Sequence, residues 1–298
     1  MTTKLTGPVV VGIDGSTIAL DAVRAAARTA AGRHRPLRVV HAFIWPIINV
    51  PTGPISGGVA DGGLRRQAER YVTEAVAEAG KVAPELDVTG AVVDGAPVPV
   101  LLGESRDAAL LVLGNRGLGG FAGLVLGSVT VQVSAQARCP VLVVRGEPRA
   151  DGPVVVGVDG SAGSAQAAGY AFEEAAWRGV PLVAVHAWLE PAPAGPGDML
   201  PLVYDPDLLA AQEERVLAES LAGFAERYPQ VPVRRRLVRG SAAGALVRES
   251  ESAQLVVVGA RGRGALAGLL LGSVSHAVLH HAHAPVAVVR HTPRQPRA

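Results

Sequence analysis

The sequence predicts a duplicated α/β fold: two tandem Rossmann-like domains, each a five-stranded parallel sheet in the order 3-2-1-4-5 with helices on both faces. Three observations predict it. The first is self-similarity at one offset. VVVGIDGS at Val9–Ser16 returns as VVVGVDGS at Val154–Ser161, and PLRVVHAF at Pro36–Phe43 returns as PLVAVHAW at Pro181–Trp188. GNRGLGGFAGLVLGSV at Gly114–Val129 returns as GARGRGALAGLLLGSV at Gly259–Val274, with 11 of 16 positions identical, and CPVLVVR at Cys139–Arg145 returns as APVAVVR at Ala284–Arg290. Every pair lies 145 residues apart, so one fold has been duplicated. The second is that short Val/Leu runs alternate with longer Ala-rich segments, the pattern of strands joined by crossover helices. The third is composition: hydrophobic residues make up 49% and aromatics 4%, which suits small-residue helices packed on Val-rich parallel strands. At 298 residues, each half is large enough to bury its own core.

The elements follow in order, and each recurs in the second half. Val9–Asp14 reads as a buried strand that ends in Asp-Gly-Ser, and Ser16 can cap the Ala-rich helix that runs to about Gly32. Leu37–Ala42 is a second buried strand. A long Pro/Gly loop over Phe43–Gly63 leads to an amphipathic helix, Leu64–Val82. Asp87–Val93 alternates enough to be an edge strand, Val98–Asp107 is a helix and Ala109–Gly114 a very apolar strand. The Gly-rich segment leads into a helix from Ser128, and Val141–Arg145 closes the sheet. The domains are expected at 1–146 and 152–293, with a short polar linker between them. Right-handed crossovers favour the stated strand order, and ligands of such sheets bind at the carboxyl ends of the strands where the order reverses. That point falls between the first and fourth strands, at Asp14 and Gly114.

Charge and cysteine content exclude several classes. Net charge is +2, and the basic residues are dispersed except for Arg234, Arg235 and Arg236, read as a solvated strand edge, with an anion patch as the sharper alternative. Without aromatic interleaving, a nucleic-acid surface is not expected. The lone Cys139 reads as a small buried hydrophobe, and a reducing compartment fits. The first apolar run stops at Asp14, too short for a signal-peptide core, and no apolar stretch reaches the roughly 18–20 residues that span a bilayer. A soluble, cytoplasmic protein with no membrane association is therefore expected.

The chemistry concentrates in the Gly-rich segment, which has the form Gly, two residues, Gly, nine residues, Gly-Ser. It comprises Gly114, Gly117, Gly127 and Ser128 in the first half and Gly259, Gly262, Gly272 and Ser273 in the second. Such a loop brings backbone N–H groups close to phosphate, and a helix opening at Gly-Ser adds its own N–H groups and dipole. A tight strand–helix connection would also use glycine, but two loops in register, each beside a strand-end Asp, weigh against that reading. Asp14 and Asp159 could accept hydrogen bonds from ribose or base, help hold a metal, or cap the following helix.

Together these residues resemble the ATP-binding branch of the universal stress protein family, over the whole chain and twice. The resemblance implies an ATP site in each domain, with Mg2+ held mainly by phosphate oxygens and water. It places Gly12 and Asp14 on the adenosine side and Ala42 against adenine through its backbone, with Gly114, Asn115, Arg116, Gly117, Gly127, Ser128 and Val129 around ribose and phosphates. The second site would use Gly157, Asp159, Ala187, Gly259, Ala260, Arg261, Gly262, Arg263, Gly272, Ser273 and Val274. Arg263 stands where the first half has Leu118, so the second loop carries one more positive charge. The resemblance also implies that closing strands pair between domains, and a homodimer is compatible with it. The function it implies is a nucleotide-dependent stress or growth regulator, read by a regulatory protein partner. The alternatives are a slow ATPase or nucleotidyl-transfer enzyme, at most weakly active because the loop lacks a Walker-type Lys, and a nucleotide-free scaffold. His276 and His280, four apart with His281 and His283 near, are read as a solvated helix end rather than a zinc site; His41 and His186 are read as packed histidines with backbone contacts.

Overall fold

The computed structural model describes residues 7–45, 60–117, 126–146, 149–189, 205–263 and 271–290. The chain divides into two compact units near Val144–Arg145. In the first, β1 (Val9–Ile13), α1 (Thr17–Gly32), β2 (Leu37–Phe43), α2 (Ala60–Val82), β3 (Val88–Asp94), α3 (Pro97–Glu104), β4 (Leu110–Gly114), α4 (Ser128–Gln136) and β5 (Val141–Val144) follow one another. The second has β6 (Val154–Gly157), α5 (Ala162–Arg178), β7 (Leu182–Trp188), α6 (Pro206–Arg227), β8 (Val233–Arg239), α7 (Ala242–Glu249), β9 (Leu255–Gly259), α8 (Ser273–His281) and β10 (Val286–Val289). The strands lie in the order β3-β2-β1-β4-β5 in one unit and β8-β7-β6-β9-β10 in the other. The pairings within each unit are parallel.

Burial explains the Val-rich strands. Val9, Val11, Leu37, Val39, Leu110, Leu111 and Val112 are fully buried, because helices cover both faces of the central strands. Each such side chain contributes about 1.5–3 kcal/mol of hydrophobic stabilisation. On α1, Ala22, Ala26 and Ala30 recur on one face with no exposure, so the helix backbone sits close to the sheet. In the second unit Phe172 is also fully buried and stacks on Phe224 and Tyr228 of the α6 end, at 5.7 and 6.0 Å between ring centroids.

The boundaries shift in places. The second helix starts at Ala60, four residues before the expected Leu64, so it runs through Gly63. The third helix starts on Pro97, whose missing N–H costs nothing in the first turn, and stops at Glu104 rather than Asp107. Most of the expected loop over Phe43–Gly63 and part of the linker lie outside the described residues. Cys139 is 3% exposed, and burial pushes its thiol up to about 12, which makes it inert packing, as read from sequence. No helix among the described residues is long and apolar enough to cross a membrane.

Candidate functional site

Each site begins at the Asp-Gly-Ser turn after the first strand. β1 pairs with β4, Val9 opposite Leu110, so Asp14 leaves the sheet beside Gly114. Gly15 has φ +88° and Gly160 φ +75°, a left-handed backbone that glycine adopts without strain. The turn folds the Asp14 carboxylate back so that Oδ1 accepts the Ser16 N–H at 3.0 Å; Asp159 does the same for Ser161 at 2.9 Å. The hydroxyls of Ser16 and Ser161 in turn cap α1 and α5, accepting from Ala19 and Ser164. The capping expected of the serines is thus present, and the carboxylates are local turn acceptors.

The second carboxylate oxygen meets the Gly-rich loop. A Cβ built on Gly117 would collide with Oδ2 of Asp14, and one on Gly262 with Oδ2 of Asp159. Glycine is needed there so that loop backbone and carboxylate can touch. In the second unit Oδ2 also accepts the Arg263 N–H at 2.9 Å. Burial alone would raise the Asp159 carboxyl, but hydrogen bonds from Ser161, Arg263 and Ser164 outweigh it and hold it below the ordinary range.

The loop's far end supplies donors. Gly127 N–H closes back on the Asn115 carbonyl at 2.8 Å, and Gly272 N–H on the Ala260 carbonyl at 2.9 Å. α4 and α8 then open with glycine N-caps that carry no side-chain cap, unlike α1 and α5. In α4 the first intrahelical bond runs from Val131 N–H to the Gly127 carbonyl, so the N–H groups of Ser128, Val129 and Thr130 precede it. With the helix dipole behind them, they form an anion-attracting end at the cleft.

These parts enclose a cleft of about 540 Å³ in the first unit and about 380 Å³ in the second. Of the residues expected in the first site, Gly12, Asp14, Ala42, Gly114, Arg116, Gly117, Gly127, Ser128 and Val129 line it. In the second, Gly157, Asp159, Ala187, Gly259, Arg261, Gly262, Arg263, Gly272, Ser273 and Val274 line the cleft. Asn115 and Ala260 do not: their carbonyls close the loop, and their N–H groups bond to Val144 and Val289. Leu118 lies outside the described residues. The sequence reading missed the apolar wall, Val40 and Leu101 in one cleft and Val185 and Leu246 in the other. Recurrence of Leu101 as Leu246 at the 145-residue offset was the available signal.

The strand-two histidines make the backbone contacts expected of them. His41 Nδ1 lies 3.0 Å from the Ile13 carbonyl, and His186 Nδ1 lies 2.7 Å from that of Val158. Their other sides differ. The His41 ring packs 5.8 Å from Tyr71, whereas His186 Nε2 reaches the Glu213 carboxylate at 2.6 Å. The His276 and His280 rings lie 4.5 Å apart and tilted by 37° on α8, and no group of three metal-ligating side chains occurs among the described residues.

Comparison with known proteins agrees with this architecture. A match to the Universal stress protein family covers residues 6–145 and again 152–290. The chain belongs to that family. Universal stress protein Rv2005c of Mycobacterium tuberculosis is 42% identical over 296 residues, covering 95% of this chain and 96% of its own. Universal stress protein Rv2623 of the same organism is 42% identical over 294 residues, with the same coverage. Among solved structures, a universal stress protein from Archaeoglobus fulgidus superposes with a TM-score of 0.68 at 19% identity, covering 96% of this chain and 98% of its own, which speaks for the fold alone. As a universal stress protein with tandem domains, the chain carries the glycine loop and its partner Asp twice.

Proposed function

We propose that each cleft holds an adenine nucleotide, ATP with Mg2+, and that occupancy, rather than turnover, is what the protein contributes as a stress or growth regulator. The observation that carries this is the uncapped helix start at Gly127-Ser128 and Gly272-Ser273, facing a cleft whose other wall is apolar. A phosphate chain suits the first and an adenine ring the second. The donor set also fits the metal. Asp14 is the carboxylate that lines the first cleft, and one oxygen already accepts a backbone N–H. The magnesium ion would therefore be held chiefly by phosphate and water, and would neutralise phosphate charge.

In this reading the chain's own groups position the ligand. Gly12 and Leu101 shape the floor, Ala42 borders the base, and Arg116 and Ser128 face the phosphates. Arg263 adds a cation in the second cleft and favours phosphate-rich ligands there. Binding stabilises whichever conformation it prefers, which a cytoplasmic protein partner can read. Against an ATPase reading, the carboxylates that line the clefts among the described residues, Asp14 and Asp159, are engaged in their turns.

The test is to purify the protein, extract and identify any bound nucleotide, and follow hydrolysis. Co-purified adenine nucleotide with turnover at background supports occupancy. Turnover above background, lost in Asp14→Ala plus Asp159→Ala, replaces it with an enzyme. Absence of both nucleotide and affinity leaves a scaffold.

A further inference from the structure

The outer strands of the two units, β3 and β8, occupy equivalent positions and differ sharply in charge. Each pairs on one side only, β3 with β2 and β8 with β7, and no strand lies beyond either among the described residues. At the 145-residue offset, Val88-Thr89-Gly90-Ala91-Val92-Val93-Asp94 aligns with Val233-Arg234-Arg235-Arg236-Leu237-Val238-Arg239. The apolar positions agree in kind. Three neutral residues and one acid have become four arginines. The burial pattern is the same at six of the seven positions and the arginines are exposed, so the fold does not demand them.

Among the described residues, two of the four arginines are engaged and two are not. Arg236 makes a 3.4 Å contact with Glu249 of α7, and Arg239 has a partner as well. Arg234 and Arg235 have no hydrogen-bond or ion-pair partner for their guanidinium groups among the described residues. Strand alternation sends Arg234 and Arg236 to one face of the sheet and Arg235 to the other. A polyanion lying flat on one face would meet only part of this set. An extended chain running along the edge would meet all of it, and would also satisfy the open row of backbone N–H and C=O groups. Charged residues alone can simply guard an edge, but β3 holds the same position with neutral residues at Thr89, Gly90 and Ala91.

We propose that the outer edge of β8 is a docking site for an acidic extended peptide segment of a partner protein, which adds as a further strand and places carboxylates against Arg234, Arg235 and Arg236. Affinity comes from backbone pairing and selectivity from charge on both faces. The site is separate from the nucleotide clefts and does not depend on their being occupied.

The test uses the full-length protein and a fluorescein-labelled ten-residue peptide of alternating Glu and Val, read by fluorescence anisotropy. The intact protein binds it, and the same peptide with alternate backbone nitrogens methylated binds at least about tenfold more weakly. Two variants borrow residues that the first unit already tolerates. Arg234→Thr with Arg235→Gly leaves the Arg236–Glu249 contact in place, and adding Arg236→Ala completes the β3 pattern. Both lose at least about tenfold in peptide affinity while they remain folded by circular dichroism and their nucleotide binding stays at the parent level. Equal binding of the methylated peptide, unchanged binding in the variants, or tighter binding of a single-stranded oligonucleotide than of the peptide would each overturn the proposal.

Discussion

The two clefts share a frame and differ at the rim. In the first, a Cβ on Gly15 would strike the Tyr71 ring, which also packs against His41. In the second, Val216 stands where Tyr71 does, and the Arg263 guanidinium lies over Gly160 instead. Glu213, which holds His186, stands where the first unit has the buried Ala68. What persists through duplication is the set with geometric necessity: the left-handed turn, the carboxylate pressed to a glycine, and the uncapped helix start. What varies is aromatic against cationic cover. The duplication therefore separates the residues that build the cleft from those that vary at its rim.

The largest expected effect removes one cleft at a time. Gly117→Ala drives a methyl into Asp14 and Gly262→Ala drives one into Asp159. Each should weaken nucleotide binding at its own cleft on the order of a hundredfold, about 2.8 kcal/mol. The affinity left in Gly117→Ala belongs to the second cleft, and it should exceed that left in Gly262→Ala. Equal residual affinities would remove the role given to Arg263.

Next is Glu213→Ala, which copies the first unit. It leaves the buried His186 Nε2 without its 2.6 Å partner and should cost about 1–3 kcal/mol of stability in denaturant unfolding. An unchanged midpoint would show that water replaces the carboxylate. Arg263→Leu, the other first-unit copy, should weaken ATP at the second cleft about two- to fivefold, because the side chain is exposed, and leave adenosine binding unaltered. Equal losses for both ligands would place Arg263 in the frame rather than at the phosphates.

The smallest effect is pH dependence at His41. Burial lowers its pKa from 6.5, against the opposing pull of the Ile13 carbonyl and the Asp14 charge. The neutral ring is thus favoured in the folded state, while the unfolded chain takes up the proton first. This contribution is full above about pH 6.5 and falls away as pH drops through the lower folded value. The melting temperature of the parent should fall more between pH 7.5 and 5 than that of His41→Gln. Parallel curves would show that His41 titrates as it does in the unfolded chain.

Much of this was legible in the sequence for physical reasons. The 145-residue offset and the Val-rich runs revealed the strands because parallel strands buried on both faces have few alternatives to Val, Leu and Ile. Gly117 and Gly262 were legible as loop glycines that let backbone N–H groups come close to a ligand, whereas their contact with the Asp14 and Asp159 carboxylates was not. The Glu213–His186 contact was not, since it joins residues 27 apart on a strand and a helix, and one unit lacks it. The apolar wall at Leu101 and Leu246 was hidden because a leucine lining a cleft looks the same in sequence as one in a core. Asn115 and Ala260 do not line the clefts, and adjacency to loop glycines does not say whether a residue faces a cleft or closes the loop behind it.

The most direct test is calorimetric titration of nucleotide-stripped protein with MgATP. Two sites per chain are expected, one in Gly117→Ala, one in Gly262→Ala and none in the double variant. No binding to the parent protein, or two sites persisting in the double variant, would contradict this expectation.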